Sequence, residues 1–270
     1  MNRIKPIFVF VVFLLALSGC KTVPITGRRQ LSLIPASQIN SMSFNEYDEF
    51  LKSHKVVTGT KEAAMVKRVG GNIQKAVEQY FVDQNMPDQL DGYDWEFNLV
   101  EEDTVNAWCM PGGKVVFYSG ILPVTKTETG LAVVMGHEIA HAIANHGNER
   151  MSQTLMIQLG SVALDKALKE KPEQTRQIFA TSFGLGSQLG VLLPFSRKHE
   201  SEADHMGLIF MAMAGYDPRE AVSFWERMAA MKEGAAPPEF VSTHPSDQTR
   251  IENMKRLLPD ALKYYNPDGE

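Results

Sequence analysis

Two histidines and a glutamate in the stretch GHEIAH (136–141) have the residue types and spacing of a metal-dependent hydrolytic site. His137 and His141 are four residues apart, and on an α-helix this spacing corresponds to a rotation of about 40° and a rise of about 6 Å. Both imidazoles therefore project from one face and can share a zinc ion. Glu138 lies one step further round the helix, where it can take a proton from a water molecule at the metal. Because such a short motif also occurs by chance, the remaining ligand must come from elsewhere in the chain.

A second acidic segment supplies the missing ligand. Catalytic zinc takes three protein ligands and keeps one position for water. In RKHESEADHMG (197–207), Glu200 and Asp204 are four residues apart and share one face of a predicted helix. We predict that Glu200 is the third ligand of a single zinc ion per chain. Asp204 is predicted to accept the outer N–H of a ligand histidine and so fix its tautomer.

The N-terminal residues predict export from the cytoplasm. Arg3 and Lys5 precede an apolar run over 7–17, which is shorter than the roughly 20 residues that span a bilayer. A basic flank, a short apolar core and small residues before a cleavage point are typical of a signal peptide. We assign the signal peptide to residues 1–19.

The four residues that end this leader predict a lipid anchor. Leu-Ser-Gly-Cys (17–20) resembles the bacterial lipobox, which implies that Cys20 is lipidated and holds the protein on a membrane through its acyl chains. Lys21 follows rather than aspartate, so we expect the periplasmic side of a bacterial outer membrane. Residues 20–35, which contain proline, glycine and basic side chains, are predicted to be a tether.

Composition indicates a globular protein that does not bind nucleic acid. Hydrophobic residues make up 44% and charged residues 22% of the 270 residues, with a formal net charge of −5. These fractions are close to the averages of soluble domains. The sequence lacks the clustered basic face that a nucleic-acid-binding surface would need. Polypeptide substrates and a membrane are the partners that remain.

Hydrophobic periodicity predicts an α+β fold that is mostly helical. Two segments read as strands, 93–102 and 112–122, and one small sheet is expected beside the helix that carries His137 and His141. A single domain is predicted over 36–260, followed by a C-terminal tail over 261–270. Helices are predicted over 37–54, 60–81, 127–146, 151–168, 173–190, 197–214, 218–232 and 246–258.

Together, these motifs resemble a known family of membrane-associated zinc metalloendopeptidases. The HEIAH stretch with Glu-x-x-Ala-Asp downstream is similar to bacterial HtpX, the CAAX prenyl endopeptidase and the Oma-type peptidases. Three more stretches match: PITGRRQLSLI (24–34), NAWCMPGGKVVFYSGIL (106–122) and STHPSDQTRI (242–251). The resemblance implies a zincin-like domain, assigns the third zinc ligand to Glu200, and implies cleavage of misfolded or damaged cell-envelope proteins.

His244 has more than one possible role. The resemblance implies that the histidine of this His-Pro motif lies at the active site and stabilises the tetrahedral intermediate. Zinc chemistry leaves a second role open, because a loop around 233–245 that folds inward would place His244 at the fourth zinc position and exclude water. Such a four-ligand site would be a latent state. Capping of the last helix is the third possibility.

Substrate contacts are expected along the run GGKVVFYSG (112–120). An exposed sheet edge binds an extended peptide as an additional strand, so Val115 is predicted to contact substrate. The resemblance extends this prediction to Asn106 and Ala107. The apolar segment 182–196 fits a lid, a patch that touches lipid, or a packed helix that leads into the metal motif, and the packed helix is preferred.

Two other classes of function compete with a protease. The first is a periplasmic chaperone or assembly factor for outer-membrane proteins, with little or latent proteolysis. The second is a structural zinc domain, which would need His244 as a fourth ligand. Glu138 favours the enzyme, because a binding module has no need of a base beside the metal.

Overall fold

The computed structural model describes residues 20–231, 244 and 248–266. The predicted signal peptide and most of the loop around 233–245 lie outside these ranges. The chain divides into two compact units. The first contains the N-terminal residues to Ala36 and Asn145–His199, and the second contains Ser37–Ala144 and Glu200–Glu270. The region predicted as one domain, 36–260, is therefore split between two units.

The mostly helical α+β fold is confirmed, and each predicted helix is present close to its expected position. Short 3-10 helices occupy Pro87–Leu90, Ser119–Ile121 and Leu262–Tyr264, so the predicted tail begins with ordered backbone. The α-helices are α1 (Ala36–Ser53), α2 (Lys61–Asp83), α3 (Leu122–Thr125), α4 (Glu128–Ile143), α5 (His146–Ala167), α6 (Glu173–Ser187), α7 (Leu193–Met213), α8 (Glu220–Ala230) and α9 (Gln248–Ala261).

The second unit contains a four-stranded sheet, in the order β3-β4-β6-β5. Its strands are β3 (Val56–Val57), β4 (Glu96–Val100), β5 (Ala107–Met110) and β6 (Lys114–Tyr118). β6 pairs with β4 in parallel and with β5 in an antiparallel hairpin. The run predicted as an exposed edge is therefore an internal strand. The edge strand that packs against α4 is β5, which the sequence analysis did not identify.

The glycines of the β5–β6 turn explain how this hairpin closes. Gly112 and Gly113 both have positive φ, at 87° and 89°, a region that residues with a Cβ rarely adopt. A Cβ at Gly113 would also lie 2.6 Å from the ring of Trp95. The turn returns the chain directly into β6, which leaves β5 on the outside of the sheet.

One apolar stripe of α2 packs the sheet onto the rest of the second unit. Val66, Val69, Ile73 and Val77 recur at three- and four-residue steps and are fully buried. This spacing places them on one helix face, and that helix contacts both β4 and α4. The long predicted helix thus supports the helix that carries the zinc-binding motif.

The first unit begins with a two-stranded antiparallel hairpin, β1 (Cys20–Thr22) and β2 (Arg29–Leu31). Val23 and Gln30 are buried, and both carboxylate oxygens of Glu149 accept hydrogen bonds from Arg28, at 2.8 and 2.6 Å. Residues 20–35, which were predicted to be a tether, thus contain a paired hairpin with buried side chains.

The remainder of the first unit is a helical hairpin of α5 and α6. A π-helical turn over Gln188–Leu192 joins α6 to α7. Leu185 is 54% and Leu189 64% exposed. The packed-helix interpretation of 182–196 is therefore wrong, since these large apolar side chains face away from the protein.

Candidate metal centre

The helix that carries His137 and His141 is held rigidly in the second unit. Thr127 caps its N-terminus by accepting a hydrogen bond from the backbone N–H of Gly130, at 3.0 Å. All residues from Gly130 to Ile143 are buried. A helix that is buried on every side keeps its side chains in fixed positions, because neighbouring atoms exclude other rotamers.

A glycine contact brings the second motif to the first. A Cβ at Gly136 would lie 2.8 Å from the carbonyl oxygen of Gly207, and one at Gly207 would lie 2.8 Å from the backbone nitrogen of His137. Neither helix could approach so closely with a larger residue at the crossing. Glu200 and Asp204 precede Gly207 by about two turns and one turn, so the crossing directs their side chains towards His137 and His141.

Four side chains converge on one point at this crossing. Nε2 of His137 lies 3.1 Å from Nε2 of His141 and 3.4 Å from Oε2 of Glu200. Oε1 of Glu200 lies 3.3 Å from Nε2 of His141. His244 joins this cluster, with its Nδ1 3.0 Å from Nε2 of His137 and 3.0 Å from Oε2 of Glu200.

The donor set fits zinc in both chemistry and spacing. Two ligand atoms that each lie 2.0–2.1 Å from a tetrahedral zinc ion are separated by about 3.3 Å. The observed separations of 3.0–3.4 Å match this value. Three imidazole nitrogens and one carboxylate also form a ligand set that suits zinc, whereas magnesium and calcium bind mainly to oxygen ligands. Zinc is therefore the metal that this cluster is built to hold.

Glu138 lies beside the cluster in a position suited to a base. Its side chain is buried, and among the described residues its Oε1 has no hydrogen bond. Nε2 of His244 is 3.4 Å from this oxygen. Burial raises the pKa of Glu138, because a charged carboxylate is less stable away from water. A carboxylate with a raised pKa accepts a proton more readily at neutral pH.

Asp204 lies behind the cluster and fixes the orientation of His137. Its Oδ1 is 3.0 Å from Nδ1 of His137, on the opposite side of the ring from the ligand nitrogen. This contact requires the Nδ1–H tautomer, which leaves Nε2 free to bind a metal. The geometry is the one that the spacing of Glu200 and Asp204 predicts.

Arg250 is a site residue that the sequence analysis did not identify. It donates hydrogen bonds to both oxygens of Asp204, at 2.7 and 2.8 Å, and its Nη1 lies 3.1 Å from Oε2 of Glu200. Its guanidinium stacks 3.5 Å from the centre of the Trp225 ring. Arg250 is the penultimate residue of the motif stretch STHPSDQTRI, so its position six residues after His244 was an available signal.

The electrostatics of the cluster favour a cation between the histidines. Burial by itself would lower the pKa of His137, but hydrogen bonds to Asp204 and Glu200 raise it to about 9. Burial opposes the charge on Glu200 as well, yet hydrogen bonds from His137, His141 and His244 hold the pKa of Glu200 well below its usual range. The carboxylates thus stabilise positive charge at this point, and a divalent ion meets the same preference.

The predicted substrate residues have different environments. Asn106 and Ala107 lie at the start of edge strand β5, and both are buried. Val115 is fully buried on the internal strand β6. The contact of Val115 with substrate stays a prediction that this position does not favour, because the side chain is buried and β4 and β5 already pair with both backbone edges of β6.

The chain is similar to known proteins along most of its length. The sequence model of Peptidase family M48 matches residues 68–258. The chain is 34% identical over 240 residues to the mitochondrial metalloendopeptidase OMA1 of Schizosaccharomyces pombe, a match that covers 88% of this chain and 66% of that protein. The Saccharomyces cerevisiae OMA1 is 36% identical over 199 residues, or 71% of this chain and 55% of the relative.

A bacterial relative matches a shorter region. The beta-barrel assembly-enhancing protease of Escherichia coli is 29% identical over 169 residues, which is 60% of this chain and 34% of that protein. The chain thus spans between a third and two thirds of the length of these three relatives.

These relatives overturn one prediction. The matches of higher identity are mitochondrial proteins by name, which contradicts the predicted localisation on the periplasmic side of a bacterial outer membrane. The family itself is shown by the match over most of the chain, and its members use the zinc ion for which the His137, His141 and Glu200 cluster is suited. The chain belongs to Peptidase family M48, the zinc metalloproteases.

Proposed function

We propose that this protein is a zinc-dependent metalloendopeptidase that hydrolyses peptide bonds in misfolded or damaged polypeptides. The convergence of His137, His141 and Glu200 at tetrahedral spacing, with Glu138 buried beside them, carries this proposal. A structural zinc site would have no use for a carboxylate at the position of Glu138. The names of the relatives, which are metalloendopeptidases, support the same activity.

Different residues of this chain have different roles in hydrolysis. When bound, zinc supplies Lewis-acid chemistry, which polarises a carbonyl oxygen and acidifies a water molecule. Glu138 accepts the proton of the attacking water and then transfers it to the amine that leaves. Asp204 holds His137 in the tautomer that binds metal, and Arg250 holds Asp204 in place.

His244 keeps the site in a latent form in this proposal. A zinc site with four protein ligands has no position for water, whereas a catalytic site keeps one open. The 3.0 Å separations from Nδ1 of His244 to His137 and Glu200 support a role as the fourth ligand. Withdrawal of His244 would open the site, and the same residue would then be free to stabilise the tetrahedral intermediate.

Strand β5 is the surface that best fits an extended peptide. It is one of the two edge strands of the sheet, and it packs against the zinc helix. A peptide added to this edge would bind through backbone hydrogen bonds, which gives affinity for many sequences. Ala107 begins this strand and Asn106 immediately precedes it, and we retain both as proposed positions of substrate contact.

The decisive experiment compares cleavage of casein by the wild type, by Glu138→Gln and by the wild type with a chelator. We expect stoichiometric zinc in Glu138→Gln but a loss of cleavage of at least about a hundredfold, because general-base catalysis contributes this much or more. Glu128→Gln, at a half-buried position in the first turn of the same helix where the carboxylate pairs with Arg68 and not with the metal cluster, is the control and should cleave normally. Full activity of Glu138→Gln would overturn the proposed mechanism.

An assembly role with little proteolysis is the alternative function. The Escherichia coli relative is named for enhancement of β-barrel assembly, which supports keeping this alternative. The Glu138→Gln variant distinguishes the two functions, because it would keep an assembly role but lose proteolysis. A chain that protects unfolded proteins from aggregation but shows no chelator-sensitive cleavage would favour the assembly role.

Lipidation of Cys20 stays a proposal that is supported by the motif Leu-Ser-Gly-Cys. Mass spectrometry of the protein isolated from the membranes of the cells that produce it tests it directly. We expect a mature chain that begins at Cys20 and carries acyl groups, and Cys20→Ala should remove both the processing and the added mass. An unmodified cysteine in the mature protein would contradict the proposal.

A further inference from the structure

We infer that the helical hairpin of α5 and α6 is embedded in a lipid bilayer. The inference concerns the first unit and is independent of the zinc site. Ten large hydrophobic side chains in this region are between 39% and 69% exposed. They are Met151, Leu155, Met156, Leu159, Val162, Ile178, Phe179, Leu185, Leu189 and Leu193. So dense a group of exposed apolar side chains marks an interaction surface.

These side chains form one stripe on each helix. On α5, Met151, Leu155, Leu159 and Val162 follow at steps of four, four and three residues, which places them within about 80° of one another. From α6 onwards, Ile178, Leu185, Leu189 and Leu193 follow at steps of seven, four and four. Each helix therefore presents a continuous apolar stripe that no described residue covers.

The two stripes lie on the outer sides of the hairpin. The helices contact each other where Gly160 meets the ring of Phe183, which lies 2.9 Å from the Cβ position of that glycine. Gly160 is on the side of α5 away from the exposed stripe, and Phe183 is similarly placed on α6. A partner protein would cover one face of such a hairpin. Lipid acyl chains would instead surround the hairpin on all sides. They therefore suit a hairpin that is apolar on both outer sides.

The charges of the hairpin are confined to its two ends. Residues 177–196 contain no charged side chain over 20 positions, and residues 151–164 contain none over 14. As helices these runs measure about 30 Å and about 21 Å, and the hydrocarbon core of a bilayer is about 30 Å thick. The shorter run is matched by local thinning of the bilayer and by long basic side chains that reach the headgroups. Arg150 precedes this run, and Asp165 and Lys166 follow it.

Length and composition lead to the same assignment. The continuous helical stretch Glu173–Met213 is long and apolar enough to cross a membrane, and its most apolar 18-residue window is not buried inside the protein. A core helix of similar composition would be buried. The segment 146–199 also carries seven basic and four acidic side chains, although the net charge of the whole chain is −5. This local excess of positive charge favours anionic lipid headgroups.

Vesicle flotation tests the inference on the mature chain, produced without residues 1–19 and with Cys20→Ala, so that neither the apolar leader nor the predicted acyl anchor is present. Vesicles of phosphatidylcholine are used with and without phosphatidylglycerol. We expect the protein to float with both and to remain bound in high salt, because apolar contacts are not screened. If high salt released the protein from the vesicles, the interaction would be one of surface charges alone, and the inference that the hairpin is embedded would be overturned. A protein that never floats would also overturn it.

Lysine substitutions locate the contact. Leu159→Lys combined with Leu189→Lys should lower vesicle binding by more than about tenfold, since charged side chains are strongly disfavoured in the hydrocarbon core. Val82→Lys, at a 57% exposed position on α2, is the matched control and should bind as the parent does. Circular dichroism and zinc content confirm folding, and the milder serine pair at 159 and 189 replaces the lysine pair if it unfolds. Unchanged binding by the folded variant would overturn the inference, as would a stable dimer in place of vesicle binding.

Discussion

Arg250 donates two hydrogen bonds to the carboxylate of Asp204, which in turn contacts Nδ1 of His137 at 3.0 Å. The three side chains are buried, so the geometry of one metal ligand depends on an arginine that lies 113 residues away in the sequence. This chain of contacts connects the C-terminal helix α9 to the zinc helix α4.

Asp204→Asn should weaken zinc binding by about 10–100-fold, the usual effect of removing a partner that orients a ligand histidine. The carboxylate accepts from Nδ1 of His137, and an amide that turns its nitrogen towards the ring loses this acceptor. Competition with a fluorescent chelator measures the affinity. Asp260→Asn is the control, because Asp260 is partly exposed and pairs with His205 and Lys263 rather than with the metal cluster. Equal zinc affinity in both variants would contradict the role of Asp204.

Arg250→Met should lower the free energy of unfolding by about 3–5 kcal/mol, because it leaves a buried carboxylate without its partner. Urea denaturation of the metal-free protein measures the loss. The double variant with Asp204→Asn should recover part of it, since the unpaired charge is then gone. If the double variant lost as much free energy of unfolding as the two single variants together, the unpaired carboxylate would not be the cause of the destabilisation.

His244→Ala tests whether the site is latent. As the fourth ligand, His244 excludes water, so its removal should raise basal cleavage of casein and lower zinc affinity. If His244 acts only on the tetrahedral intermediate, its removal should lower cleavage and leave the zinc affinity unchanged. His205→Ala, at a partly exposed histidine paired with Asp260, is the control. A fall in cleavage together with unchanged zinc affinity would contradict the fourth-ligand role and assign His244 to catalysis alone.

Gly136→Ala should destabilise the protein by about 1–3 kcal/mol, the usual cost of overpacking a tight contact. The new methyl group would meet the carbonyl oxygen of Gly207 at 2.8 Å and push α4 and α7 apart. Zinc affinity should fall with stability, because the ligands come from both helices. Gly71→Ala on α2 is the matched control, as no atom lies within 4 Å of its Cβ position. There alanine should raise stability by about 0.5–1 kcal/mol.

Acid should selectively weaken the first unit through Glu149. Burial would raise the pKa of Glu149, but hydrogen bonds from Arg28 and His199 outweigh it and lower the pKa to about 2. A carboxyl with a lowered folded-state pKa contributes stability above its ordinary value, about 4.5, and loses it as the pH falls towards 2. Hydrogen exchange of α5 amides measures this loss. In Glu149→Gln the exchange rates should lack this pH dependence. If the variant showed the same dependence on pH as the wild type, Glu149 would not be the group responsible.

Much of the site could be predicted because its information is local. The four-residue spacings of His137 with His141 and of Glu200 with Asp204 determine which side chains share a helix face, since helical geometry is the same in every protein. Periodicity predicted the helices for the same reason. The edge strand β5 was missed because four residues carry too little alternation, and its role depends on pairing with β6.

What the sequence alone determined is the chemistry of the ligands and the faces on which they lie. Only the tertiary structure decided that Gly136 and Gly207 bring the two faces together, that Arg250 completes the site and that His244 joins the ligand set. Only the fold, too, decided that the apolar helices α5 and α6 leave their stripes uncovered. Helix faces follow from bond geometry over a few residues, whereas contacts between distant segments follow from how the whole chain packs.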